Sequence, residues 1–392
     1  MPDKVRIGYM RLIDAAPIIF ANELGYFTDA GVQVELVREV SWANLRDRLI
    51  IGDINVAQIL SPLAIATTVG IGSVREALVA GLSLGHNGNA ICLSLPLFEA
   101  MEHDLPGQWI DHPLASAQVM ARLIQRRRQR ALAPYTFATV FPYSMHTLLI
   151  AMWLRAAGCD ISRDVRLITL PPEQMVTALE RREIDGFCAG APWSSASVNQ
   201  GLGVLAVAGC DIWNSAPGKV LATTATWQKA NETRYAAVCT AVLRACRWLE
   251  TEALPADVAQ ILSQPHYINR QPADLIPALS GRLVCASWTN HVARPDALVF
   301  SRHHANYPWR SDARLLAEAL VGLLTNPQIT AADAAHQAEH IFRPDIYRAC
   351  AAELGIETPN ADDRPWNDHD KPFEHAGVVI GPNRWLTAPY AP

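Results

Sequence analysis

The stretch from Thr136 to Trp193 limits the possible folds of this chain more than any other. It begins with an apolar, β-prone run from Thr136 to Phe141 that breaks at Pro142. Ser144, a good N-cap residue, is placed to open a helix to about Ala157, and Gly158 stops it. Val165 to Leu170 alternates apolar and polar as a short strand does. A second helix follows Pro171-Pro172, and Gly186 to Pro192 reads as one more short strand. Strands and helices alternating at this spacing predict a right-handed α/β unit on a parallel sheet. Ligands of such sheets sit beyond the carboxyl ends of the strands, the expected place of Ser144, His146 and Trp193.

The same alternation runs through the first part of the chain. Strands are predicted at Val5 to Met10, Val32 to Val40 and Val56 to Leu60. Between them lie helices from Asp14 to Tyr26 and, capped by Ser41, from Trp42 to about Ile50. Ser61-Pro62 reads as an N-cap followed by an N1 proline. Gly70, Gly72 and Ser73 follow a helix rather than a strand, so they do not form a phosphate-binding loop. Ala77 to Leu84 is another strand, and the polar segment His86-Asn87-Gly88-Asn89-Ala90 after it is where the chain is expected to cross to a second lobe. Cys210 to Thr226 is the expected return, ending in a strand from Val220 preceded by Gly218 and Lys219. With 392 residues, too many for one core, this predicts lobe 1 from residues 1–88 and 218–392 and lobe 2 from 89–217. A long helix is expected from Trp227 to Leu249, more helices after it, and a loop-rich surface tail at the end.

Composition removes several classes of function. A net charge of −5 gives no general attraction to nucleic acid or to acidic membranes. Arg122, Arg126, Arg127, Arg128 and Arg130 form the one basic run, and without interleaved aromatics it reads as a solvated helix face. The eight cysteines stand singly in apolar stretches, with no CxxC and no zinc-type spacing, which predicts buried reduced thiols and a reducing compartment. MPDKVRIGYM runs straight into a strand with no leader-like region, and no apolar run nears the length of a membrane span; the expected location is the cytoplasm. There is no HExxH and no cysteine beside a plausible base, so the expectation is a binding protein and not an enzyme.

The segments SWANLRDRL, LSPLAIATTVGIG, HNGNAICLS, VFPYSMH, LPPEQMV, DGFCAGAPW and HHANYPWRS, in that order, resemble the NrtA/CmpA group of anion-binding proteins. Those are the nitrate and bicarbonate receptors of ABC transporters. The resemblance implies a two-lobed periplasmic-binding-protein (type II) fold, α/β, each lobe a mostly parallel sheet flanked by helices, with the ligand cleft between lobes. Within the group, SWANLRDRL, FPYSMH in place of FPGGTH and the missing signal peptide look most like the NasS branch of cytoplasmic nitrate/nitrite sensors. That implies a partner of NasT type, an RNA-binding antiterminator with an ANTAR domain that is held or released, with no direct contact to nucleic acid or membrane. The alternative is the substrate-binding component of a nitrate/bicarbonate-type ABC transporter.

The resemblance also implies a ligand, nitrate or nitrite, with no cofactor and no metal. It places Trp42, Asn89, His146 and Lys219 at the family's contact positions, Asn89 standing where nitrate receptors have glutamine. Bicarbonate receptors carry an acid at the Lys219 position to hold calcium. Ser144 and Pro192 complete the expected set, Trp193 is expected as wall, and Ala191 stands where the receptors have the glutamate of GEPW. The chemistry suits a flat monoanion that needs a cation and several aimed donors in a dry cleft. Lys219 would give the charge, and a neutral His146, Asn89, the Trp42 indole and the helix end at Ser144 would give donors. On that count the bound complex is electrically balanced, and Lys219→Ala is expected to lose binding without loss of stability. Taken singly, each residue also has a plainer role as surface lysine, core tryptophan, turn asparagine or structural histidine.

Overall fold

Direction, more than position, is what the sequence leaves open about the strands. The computed structural model describes residues 4–104, 112–286, 291–324, 327–366 and 369–388. Its strands up to the return crossing are β1 (Val5–Met10), β2 (Val34–Glu39), β3 (Val56–Leu60), β4 (Leu78–Ser83), β5 (His86–Asn87), β6 (Asn89–Ser94), β7 (Thr136–Thr139), β8 (Arg166–Thr169), β9 (Gly186–Gly190), β10 (Gly203–Ala208) and β11 (Lys219–Thr224). They build two five-stranded sheets, ordered β2-β1-β3-β11-β4 and β10-β6-β9-β7-β8, each flanked by helices. This is the periplasmic-binding-protein fold.

The expected mostly parallel sheets are in fact mixed. β1 runs parallel to β2 and β3, and β7 runs parallel to β8 and β9. β11 is antiparallel to both its neighbours, and β6 is antiparallel to β9 and β10. The reason lies in the crossings. The strands that lead to a crossing, β4 and β10, finish facing the other sheet, and the strand that follows each crossing must start there and run away. Asn89 and Lys219 are the first residues of those two strands, so they stand level with the carboxyl ends of β1 and β9.

Local chemistry sets the helices that point at this level. Ser41 accepts from Asn44 N–H and opens the helix Trp42–Ile50, and Ser144 does the same through Thr147 N–H for Met145–Arg155. The latter helix ends before Gly158, whose φ of 78° suits a residue without a side chain. The helix Ser61–Val69 starts one residue earlier than its sequence suggests, with Leu60 as the cap and Pro62 in the first turn. The long helix expected from Trp227 is two, Ala225–Ala230 and Glu232–Thr251, because Asn231 (φ −138°) leaves the helical region.

One of the apolar clusters extends from lobe to lobe, joining Met10, Leu12, Trp42 and Leu63 to Met145, Trp153, Phe187 and Trp193. All eight cysteines are free thiols, and Cys159 alone among them is less than fully buried. Among the described residues, no helix is long and apolar enough to cross a membrane.

The tail after residue 360 is loop-rich and mostly half-buried or exposed, as expected, but it is anchored at several buried points. Arg364 and Asn383 are buried, and Arg364 forms a paired salt bridge with Asp312 at 2.8 Å and donates to Ser215 O at 3.0 Å. Leu386 N–H donates to Ile212 O at 2.6 Å, and Asn214 N–H to Arg384 O at 2.7 Å. Trp213, in the return crossing, meets Trp366 and Trp385 edge-on at 5.3 and 6.2 Å, and those two stack at 5.6 Å. The outward crossing is tied to the return one by Asn87, which donates to Asn214 Oδ1 at 3.1 Å and to Asp296 O at 2.7 Å.

Candidate functional site

Lys219 is 2% exposed, and its Nζ is ion-paired with Asp14 and lies 3.4 Å from Asn89 Oδ1. Asn89 pairs in register with Gly190, where an added Cβ would sit 3.5 Å from the same Nζ. The ammonium is thus held between the start of β11, the start of β6 and the end of β9.

His146 occupies the first turn of the helix Met145–Arg155 and is fully buried. Neither ring nitrogen finds a partner among the described residues. Burial, reinforced by the Lys219 ammonium, pushes its pKa well below the usual imidazole value, so the ring is neutral and presents one N–H and one lone pair. The indole N–H groups of Trp42 and Trp193 are also buried without partners. Trp42 heads its helix at the cleft end of the first sheet, and Trp193 follows the end of β9. Buried donors left unmatched are uncommon, and His146 is near enough to the buried Lys219 ammonium to feel its charge. That pair marks the candidate place for an acceptor-rich ligand.

The remaining expected residues take lesser parts. Ser144 donates its hydroxyl to Phe141 O (2.6 Å) and accepts from Thr147 N–H (3.2 Å), so it offers a ligand the helix end it caps rather than a hydroxyl hydrogen. Asn89 turns its oxygen to Lys219 and its Nδ2 to Asn87 O at 3.4 Å. Pro192 follows a cis peptide and has no N–H to give a ligand.

Asp14 and Gln58 were not foreseen. Asp14 lies in the short turn Ile13–Ala15 after β1, its carboxylate taking Lys219 on one oxygen and Gln58 Nε2 on the other. Gln58 in turn accepts from Met10 N–H at 2.9 Å. The electrical count made from Lys219 alone is therefore corrected: the buried lysine is already balanced, and a monoanion brings the site to one net negative charge. A lone acid within the apolar run LIDAAPII was the available signal.

The lobes touch over this site. Ile13 N–H donates to Ala191 O at 2.9 Å, Arg11 is ion-paired with Glu173, and Tyr143 packs on Gly72. Gly72 has φ +98°, and a Cβ there would lie 2.9 Å from Tyr143 Oη. Gly72→Ala is therefore expected to cost about 1 kcal/mol of backbone strain and to hold the lobes apart. A urea titration measures the first effect; ligand affinity, recovered by adding Tyr143→Ala, measures the second.

His146 also makes stability depend on pH. The unfolded chain takes up its proton near the ordinary imidazole value, while the folded protein refuses it, so stability falls as pH drops through that value. From about pH 7 to about pH 5 the wild type is expected to lose ~2 kcal/mol more than His146→Gln, read from urea midpoints at the two pH values.

The chain belongs to the NMT1-like family, which it matches over residues 1–263. It is 30% identical over 384 residues to the nitrate import ATP-binding protein NrtC of Synechocystis sp., an alignment covering 96% of this chain and 53% of NrtC. It therefore spans about half the length of that relative. It is 28% identical over 359 residues to the nitrate/nitrite binding protein NrtA of Nostoc sp., covering 90% of this chain and 78% of NrtA. In fold it is similar to the crystal structure of the periplasmic nitrate-binding protein NrtA from Synechocystis PCC 6803, with a TM-score of 0.82, 24% identity and 92% of each chain covered.

Proposed function

We propose that this chain is a binding protein, without catalytic activity, for nitrate or nitrite. The observation that carries the reading is the buried Lys219 ammonium set beside a neutral, unpartnered His146 at the junction of the lobes. The third N–H of Lys219, a ring N–H, two indole N–H groups and the helix end at Met145 supply the donors that three nitrate oxygens need. A charge-assisted bond of this kind contributes roughly 1.5–3 kcal/mol. The similarity to NrtA supports the choice of ligand, and lysine rather than acid at position 219 supports nitrate over bicarbonate. Calorimetry should find nitrate or nitrite bound in the micromolar range and bicarbonate and sulfate much weaker. Bicarbonate as the tightest ligand would refute the reading.

The segments SWANLRDRL and FPYSMH support a more specific role, that of a cytoplasmic sensor. Anion bridging the lobes would favour the closed arrangement through contacts such as Ile13 to Ala191, and a NasT-type antiterminator would be held by the open one. Moving such an equilibrium from almost all held to almost all released takes about 5.5 kcal/mol of differential binding. The helix Pro113–Gln129, with Arg126, Arg127 and Arg128 in its last turn, is the docking face in this reading. The alignment with NrtC over 96% of the chain favours a second reading, an anion-binding part of a transporter. Co-purification with a NasT-type protein that nitrate dissolves would support the sensor; indifference to nitrate would leave the transporter.

A further inference from the structure

We infer that Asp14 sets the charge of anion this protein accepts, admitting monoanions and excluding dianions. The inference rests on the anion-binding reading above and adds to it the residue that determines specificity.

Both Asp14 oxygens accept from groups that can only donate. One takes the Lys219 ammonium. The other takes Gln58 Nε2, and the Gln58 amide cannot turn over because its oxygen is held by Met10 N–H at 2.9 Å. A carboxyl used twice as an acceptor by such partners is ionised. The site therefore has one positive and one negative charge before any ligand arrives, with His146 neutral between its walls. Exposure of Asp14, Lys219 and His146 is 5%, 2% and 0%, so water does little to screen them.

In such a place the attraction of Lys219 for an anion is opposed by the repulsion of Asp14. What remains is the pull of nearby dipoles, chiefly the unpartnered His146 ring and the end of the helix Met145–Arg155 that carries it. That pull grows in proportion to ligand charge, while the cost of taking the ligand out of water grows with its square. One charge can be matched and two cannot. A cleft with Lys219 but no carboxylate would carry a net positive charge and would take sulfate far more readily.

Binding of nitrate, perchlorate and sulfate to the full-length chain tests this, because perchlorate and sulfate share a shape and differ by one charge. Wild type is expected to prefer nitrate, then perchlorate, with sulfate last. Asp14→Asn keeps the shape and removes the charge. It is expected to bind nitrate roughly tenfold more tightly and to narrow the perchlorate-to-sulfate gap by at least about tenfold. A residue that merely held Lys219 in place would instead weaken all three anions in Asp14→Asn. That result overturns the inference, as do unchanged affinities, or a wild type that binds sulfate as well as perchlorate. Asp14→Ser is the second neutral replacement should Asp14→Asn not fold, thermal unfolding being the check; if neither folds, Asp14 serves the fold and the inference fails. A wild type that binds none of the three overturns the anion-binding reading itself, and this inference with it.

Discussion

Lys219→Met is expected to abolish nitrate binding, a loss of at least about a hundredfold, and to destabilise the protein as well. The first effect follows from removing the cation that Asp14 holds in the site. The second follows from Asp14, whose carboxylate stays buried with Gln58 as its remaining partner. Breaking a buried ion pair from one side costs about 3–5 kcal/mol, chiefly through the charge left behind. The double variant Lys219→Met with Asp14→Asn removes both charges, and it should regain most of the stability and part of the nitrate affinity, the Lys219 N–H donor still being absent. Urea unfolding and calorimetry on the two variants measure the effects separately. A Lys219→Met protein as stable as wild type would mean that Asp14 finds another partner.

Arg364→Met should be the most damaging change far from the cleft. Asp312 and Arg364 are 2% and 1% exposed, and the guanidinium meets both carboxylate oxygens at 2.8 and 2.9 Å. It also satisfies Ser215 O in the return crossing and lies over the Trp366 ring at 4.2 Å. Its removal leaves a buried carboxylate, frees a buried carbonyl and loosens the tail, again about 3–5 kcal/mol. A double-mutant cycle with Asp312→Leu separates the charge from the packing; recovery of most of the loss in the double variant assigns it to the charge.

What could be read from sequence was what is decided locally. Ser41 and Ser144 cap their helices because an N-cap needs only a hydroxyl three residues ahead of an N–H, and both were legible. The strands were legible too, for alternation and β-branching survive any topology. The directions of β6 and β11 were not, since they depend on where the chain crosses between sheets. Of the site, Trp42, Asn89, His146 and Lys219 came from resemblance, not from spacing. Asp14 escaped because it opens a helical pattern, where an acid is ordinary. Gln58 sits in the strand VAQIL and looks like one polar residue among apolar ones; its role exists only through Met10 and Asp14, 48 and 44 residues away. The anchoring of the tail escaped for the same reason, since its tryptophans pack on Trp213, far earlier in the chain.

The meeting of Trp213, Trp366 and Trp385 has a practical consequence. Three indoles within 5.3–6.2 Å couple electronically, and one of them belongs to the segment that any rotation of the lobes must twist. Their near-ultraviolet circular dichroism is thus a label-free gauge of that twist, and a protein shortened from residue 364 loses both the gauge and the brace it reads.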